Sequence, residues 1–264
     1  MKLLGQLRKM NVEAHQPIAY FLNLDKKLYP MNSHIGKLID LHWSGTITCI
    51  ECGRKTRKSY DQGYCFVCSR DLPENAMCSV RPELCVHEKG SEADREFWRT
   101  HCNIDHFIYL SLTSGVKVGI TRHTNIPDRW IDQGAVKGLI IAKVPERILS
   151  GQIEVILAEH FADKTNWRKM LKGGVEEVDL LSLRDKAHDL LPESLKKYVV
   201  KDATVQELVY PVHSVPEKIT SHNLDKIPDF TDRLTGIKGQ YLIFETRVIN
   251  MRKYTGYHVE FNFH

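Results

Sequence analysis

The sequence predicts an α+β protein in which cysteine-rich modules precede a small α/β core, while N- and C-terminal strands pair in a separate β sheet or barrel. Three observations carry this reading. Five of the seven cysteines fall between Cys49 and Cys78, the middle of the chain alternates strand-like and helix-like hydrophobic periods, and both ends read as strands. An apolar fraction of 42% with mixed charges describes a globular chain rather than a disordered one. The net charge of +4 is too small to dictate a partner, so the distribution of charge matters more than its sum.

The expected segments are an N-terminal β segment over 1–48, metal-binding modules over 49–105, an α/β core over 106–200, and a linker with a C-terminal β segment over 201–264. The first fifteen residues, MKLLGQLRKMNVEAH, are broken by Gly5, Arg8 and Lys9, so no secretion signal is expected there. The longest apolar run, 138–144, is too short for a bilayer, and a cytoplasmic location without membrane contact follows as an expectation. IAYFLNL (18–24) and KLIDLHW (37–43) read as strands. In the second, Ile39, Leu41 and Trp43 alternate with Asp40 and His42, the period of a half-buried sheet.

CIECGRKTRKSYDQGYCFVC (49–68) then sets Cys49 and Cys52 against Cys65 and Cys68, each pair separated by two residues. Two turns presenting paired thiolates close a tetrahedral site for structural Zn2+, in preference to a redox pair or an iron–sulfur cluster. Between the pairs, Arg54, Lys55, Arg57 and Lys58 form a basic loop suited to phosphate contacts, or equally to solvation alone. A second set, Cys78, Cys85, His87 and Cys102, supplies a Cys3His zinc site, with His101 and His106 as alternatives to His87, or else packs as buried thiols.

HFIYLSLTSGVKVGITRHTNIPDRW (106–130) reads as a hairpin around Ser114-Gly115 and a helix opening at Pro127, capped by Thr124 or Asn125 and ended by Gly134. LIIAKV (139–144) is a buried strand. The following helix begins near Pro145 or Ser150 and gathers Ile153, Ile156, Leu157, His160 and Phe161 on one face. A helical stretch over 180–200 breaks at Pro192, and 202–235 reads as a linker with little structure. At the end, Tyr257, Val259, Phe261 and Phe263 alternate with His258, Glu260 and Asn262 as a strand.

The order hairpin, helix, strand, helix over 106–170 resembles the GIY-YIG superfamily in its divergent members. The matching residues are Phe107-Ile108-Tyr109 on the first strand, Lys117-Val118-Gly119-Ile120-Thr121 on the second, Arg129 about ten residues later, and Glu154 ahead of Phe161 on a later helix. The resemblance implies metal-assisted phosphodiester hydrolysis, with Glu154 holding Mg2+ or Mn2+, Tyr109 as general base and Arg129 on the phosphate. Lys117 stands where typical members have a second tyrosine and Phe107 where they have a glycine. The modules and LTGIKGQYLIFETRVINMRKYTGY also look like parts of an uncharacterised bacterial family, which implies the layout but no activity.

Trp167, Arg168 and Lys169 in KTNWRKMLK, with Lys164 and Lys172, interleave an aromatic with cations, a mix for stacked bases and phosphates or for the solvated end of a helix. Asn166, His123 and the turn bearing Asn250, Arg252, Lys253 and Tyr254 are further candidates for contact. The expected partner is a nucleic acid, RNA in preference to plain duplex. No Walker or dinucleotide-binding glycine motif calls for a nucleotide cofactor. A non-catalytic RNA- or DNA-binding module, and a nucleoside- or tRNA-modifying enzyme, are the alternatives to a nuclease.

Overall fold

The computed structural model describes residues 1–162 and 164–264. In chain order the elements are β1 (Lys2–Glu13), β2 (Ala19–Leu24), β3 (Lys27–Pro30), β4 (Leu38–Ile47), α1 (Phe66–Asp71), α2 (Glu92–Phe97), β5 (His106–Leu112), β6 (Val116–Arg122), α3 (Asp128–Asp132) and β7 (Lys137–Val144). There follow α4 (Arg147–Ala158), α5 (Trp167–Lys172), α6 (Leu180–Leu190), α7 (Glu193–Lys196), β8 (Gln206–Glu207), β9 (Asp229–Lys238), β10 (Tyr241–Phe244), β11 (Val248–Asn250) and β12 (Tyr257–Phe263). They divide into two compact units, one of Met1–Asp71 with Val209–His264, the other of Leu72–Leu208. The stretch 49–105, read from the sequence as one modular segment, is thus shared between the two units.

The first unit is an antiparallel sheet of eight strands in the order β11-β10-β9-β4-β12-β1-β2-β3, so both chain ends supply its centre. Register follows from period-two burial. On β12, Tyr257, Val259, Phe261 and Phe263 are buried and the residues between them only half so, and Phe261 lies opposite Leu3 on one side and Leu41 on the other. Each such large apolar side chain contributes roughly 1.5–3 kcal/mol when fully buried. The first residues of the chain form β1, in which Leu7 and Met10 are wholly buried.

Residues 229–235 correct the linker expectation, because β9 is an interior strand between β4 and β10. Phe230, Asp232 and Leu234 are buried in alternation with exposed Asp229, Thr231 and Arg233. The period was masked by an inward aspartate. Asp232 is tolerated there because Thr246 donates to it through its N–H at 3.2 Å and its hydroxyl at 2.5 Å, with the Arg247 guanidinium 3.4 Å away.

The second unit carries a four-stranded sheet in the order β6-β5-β7-β8. One face buries Ile108, Leu110, Val118, Leu139 and Ile141 against Ile153 and Leu157 of α4 and Leu180 and Ala187 of α6. By strict alternation the opposite face presents Tyr109, Ser111, Lys117 and Gly119, and the Trp130 indole of α3 meets the Tyr109 ring edge-on at 5.9 Å. Predicted helix limits shift little: α3 has Pro127 at its N-cap rather than Thr124 or Asn125, and α4 starts at Arg147. Phe161 and His160 lie just beyond the end of α4.

Candidate metal centres and the Tyr109 cluster

At the first centre β4 runs directly into the cysteines. The Cys49 N–H bonds to the Arg54 carbonyl and the Gly53 N–H to the Cys49 carbonyl, folding residues 49–54 into a tight turn. A second turn closes between Tyr60 and Tyr64 before Cys65, and Cys68 lies in α1. The four sulfurs all lie within 4.8 Å of one another, and Cys52 Sγ is 3.8 Å from Cys65 Sγ. Tetrahedral coordination with metal–sulfur bonds of about 2.3 Å requires an S···S edge of about 3.8 Å, so this donor set could hold a metal ion such as zinc.

Electrostatics agree with ligation. Burial raises the Cys49 thiol, but N–H groups from Cys52, Cys65 and Glu51 outweigh it and bring Cys49 down to about 7. Burial and the other thiols push Cys68 up to about 12. The module is tied to its own sheet: Arg8 donates to the Ile50 carbonyl at 3.0 Å, Gln6 to the Thr48 hydroxyl at 2.7 Å, and Ser59 to the Thr255 carbonyl at 2.7 Å. Arg54, Lys55, Arg57 and Lys58 remain exposed on the loop, with the Lys58 ammonium 5.2 Å from the centre of the Tyr60 ring.

The second centre is assembled from three short turns rather than a ribbon. Cys78, Cys85 and His87 offer ligand atoms within 4.8 Å of one another, with His87 Nε2 3.0 Å from Cys78 Sγ and Cys102 Sγ 3.7 Å from Cys85 Sγ. That last distance has the length of a tetrahedral edge, but Cys102 lies outside the compact set formed by Cys78, Cys85 and His87. His87 Nδ1 meets Asp94 Oδ1 at 2.9 Å, a carboxylate placed to fix the imidazole tautomer with Nε2 facing Cys78. Asp94 is held in turn by Ser91 in the capping box of α2, so Ser-x-x-Asp at 91–94 was the sequence signal for a residue the reading missed. The alternatives to His87 make contacts of their own. His101 stacks on Phe97 at 4.4 Å, and His106 Nδ1 meets the Ile104 carbonyl at 2.8 Å.

In the second unit Arg129 and Gln133 face Tyr109, and the field of the Glu154 carboxylate on α4 reaches its hydroxyl. Gly119 lies opposite Tyr109 in the β5–β6 register, and a Cβ at that glycine would sit 2.6 Å from the phenol oxygen, so only glycine lets the ring lie across the neighbouring strand. Tyr109 is fully buried and donates to Gln133 Oε1 at 3.2 Å. Burial pushes its hydroxyl above the ordinary phenol range; Arg129 and Gln133, which face it, oppose that shift, and the Glu154 carboxylate adds to it. Arg129 and Glu154 are half-buried and keep a route to solvent, whereas Lys117 is buried on the Tyr109 face. A phenol sealed from water and already donating to Gln133 is placed to orient its neighbours, not to take a proton from solvent. Gln133 was invisible in the sequence because its role depends on where α3 folds back.

On α5, Asn166 caps the helix by accepting from the Lys169 N–H at 3.1 Å, Arg168 lies 4.2 Å from the centre of the Trp167 ring, and Arg168 and Lys169 are exposed. By contrast, Tyr254 in the C-terminal turn is buried, its hydroxyl donating to the His222 carbonyl at 3.1 Å, which removes it from the exposed candidates.

A family model described as a protein of unknown function, DUF2797, matches residues 36–259. The chain belongs to the DUF2797 family. That match spans both cysteine sets, the Tyr109 cluster and, in the eight-stranded sheet of this DUF2797 member, strands β4, β9, β10 and β11 with the start of β12. No curated protein and no solved structure matches it. No helix among the described residues is long and apolar enough to cross a membrane.

Proposed function

We propose that this protein is a nucleic-acid-binding metalloprotein with structural zinc in both cysteine centres and RNA as its favoured partner. The carrying observation is the exposed quartet Arg54, Lys55, Arg57 and Lys58 on a loop pinned at both ends by the first centre. Cations on a rigid loop lose little conformational entropy on meeting a phosphate backbone, and the Trp167–Arg168 pair adds a platform for an unstacked base. Zinc is the metal that four thiolates, or three thiolates and an imidazole, select in closed tetrahedral sites.

A second reading, favoured by Arg129 facing Tyr109 and by the field of Glu154 at its hydroxyl, is phosphodiester cleavage on a GIY-YIG-like core. Glu154 would hold Mg2+ or Mn2+ and Arg129 a phosphate oxygen, while Tyr109 positions the arginine. One experiment separates the readings. Labelled tRNA, single-stranded RNA, branched DNA and duplex DNA are incubated with the zinc-loaded protein and Mg2+ or Mn2+, beside Glu154→Ala. Salt-sensitive RNA binding by both proteins without cleavage supports the binding reading; cleavage that disappears in the variant supports the nuclease, and absence of binding and cleavage alike refutes both.

A further inference from the structure

We propose that the Lys238 amine, set between Tyr210 and Tyr241 in the eight-stranded sheet, captures small uncharged aldehydes as an imine. Lys238 is the last residue of β9 and lies opposite Tyr241 across the two-residue turn into β10. On its other side the chain over 211–213 runs antiparallel to β9: Val212 bridges Gly236, and the Ile237 N–H donates to the Pro211 carbonyl at 3.0 Å. Continued by two residues, that register sets Tyr210 opposite Lys238, and the amine lies 5.2 Å from the centre of the Tyr210 ring. Residues directly opposite one another in an antiparallel pair share a sheet face, so the lysine has a tyrosine on each flank.

A lysine is rarely buried without a counter-charge, yet this one is only 6% exposed. Among the described residues its amine has no ion pair and no hydrogen bond. The Tyr210 ring face favours the ammonium, but burial outweighs it and takes the amine down to about 8, with no other charged group acting on it. At pH 7 about a tenth of such amines carry a free lone pair, against roughly one in 2,500 for an exposed lysine. Desolvation of this kind is what turns a lysine into a nucleophile for carbonyl carbon. The lone pair forms a C–N bond while the C=O π pair moves to oxygen, which takes up one proton lost by nitrogen. The carbinolamine then loses its hydroxyl with the second nitrogen proton as water and leaves C=N, so no oxidant or reductant is consumed. An imine can stay neutral, which removes the cost of a buried ammonium, and flanking rings without charge suit an uncharged aldehyde. The site is independent of the basic loop and of the RNA reading.

The test uses the full-length, zinc-loaded wild-type protein with benzaldehyde and cyanoborohydride, which reduces an imine to a stable benzylamine, and reads each lysine by peptide mass spectrometry. At pH 7 Lys238 should be labelled on the order of 10-fold more than the exposed Lys26, Lys27 and Lys201, its narrow opening to solvent reducing the full advantage in free base. That ratio should shrink as pH rises from 7 to 9, because Lys238 is by then mostly free base while the exposed lysines are still gaining it. Tyr210→Ala, which opens the amine to water, should bring Lys238 down to the level of the exposed lysines. Labelling of Lys238 at or below that level in the wild type overturns the proposal and leaves the amine a packing element. So does a ratio independent of pH, or a preference that survives Tyr210→Ala unchanged.

Discussion

Cys49, Cys52, Cys65 and Cys68 sit on two short turns that a finished sheet already anchors through Arg8, Gln6 and Ser59. Cys78, Cys85, His87 and Cys102 are instead strung along short turns and one brief helix, with few strand or helix hydrogen bonds to hold them. The first centre therefore decorates a stable unit, whereas the second organises the unit it belongs to. Helix α4 makes the dependence concrete. A Cβ at Gly151 would lie 2.4 Å from the Glu83 backbone nitrogen, so the helix bearing Glu154 packs directly on the chain between Cys78 and Cys85. A metal held at the first set would thus act locally, and one at the second over a longer stretch of its unit.

The sharpest break of that comparison comes from removing one ligand at each centre. Cys102→Ser should lose bound zinc and open amide exchange across 72–105 and into α4, costing more than about 4 kcal/mol of stability. Cys52→Ser should open exchange only around 48–71. Equal spread of exchange in the two variants, followed by mass spectrometry, would erase the distinction. Next in size, Gly151→Val drives a side chain into the Glu83 backbone and should cost about 3 kcal/mol in denaturant unfolding, together with reduced zinc retention at the second centre alone. A wild-type melting curve from that variant would show that α4 and the metal loop can separate freely.

His106 sharpens the comparison through pH. Burial, chiefly, with Arg147 and Arg122 adding to it, takes the imidazole down to about 4, so the folded unit holds it neutral. A group whose folded value is depressed below an unfolded value near 6.5 gives its full stability above that value and loses it as pH falls toward 4. The loss should be on the order of 2 kcal/mol, and His106→Gln should flatten the wild-type slope across pH 6.5 to 4. An unchanged slope would move the acid sensitivity to the thiolates. The smallest effect on stability belongs to the basic loop. Replacing Arg57 and Lys58 by Glu should shift unfolding by less than about 0.5 kcal/mol, because both are exposed, yet flatten the salt dependence of RNA binding. An unaltered salt slope would place recognition elsewhere.

Much of this was legible before any coordinates. The paired Cys-x-x-Cys turns, the hairpin with its following helix and strand, and the terminal strands all follow from local patterns: spacing, period and turn chemistry. The interior strand β9 was not legible, since Asp232 breaks the apolar alternation and is stabilised inside by Thr246 and Arg247, fourteen and fifteen positions away. Gln133 escaped for the same kind of reason: it belongs to no motif and meets the Tyr109 hydroxyl only once α3 has folded back.

By itself the sequence determined which residues could ligate a metal and which segments would be strands, because thiol pairs and period-two burial are encoded within a few residues of chain. Only tertiary structure decided that Cys78, Cys85 and His87 bring their ligand atoms within 4.8 Å of one another, and that Tyr109 is sealed while Arg129 and Glu154 are half-buried. Those outcomes depend on long-range register and on which polar groups burial leaves paired, and short spacings in the chain carry no record of either.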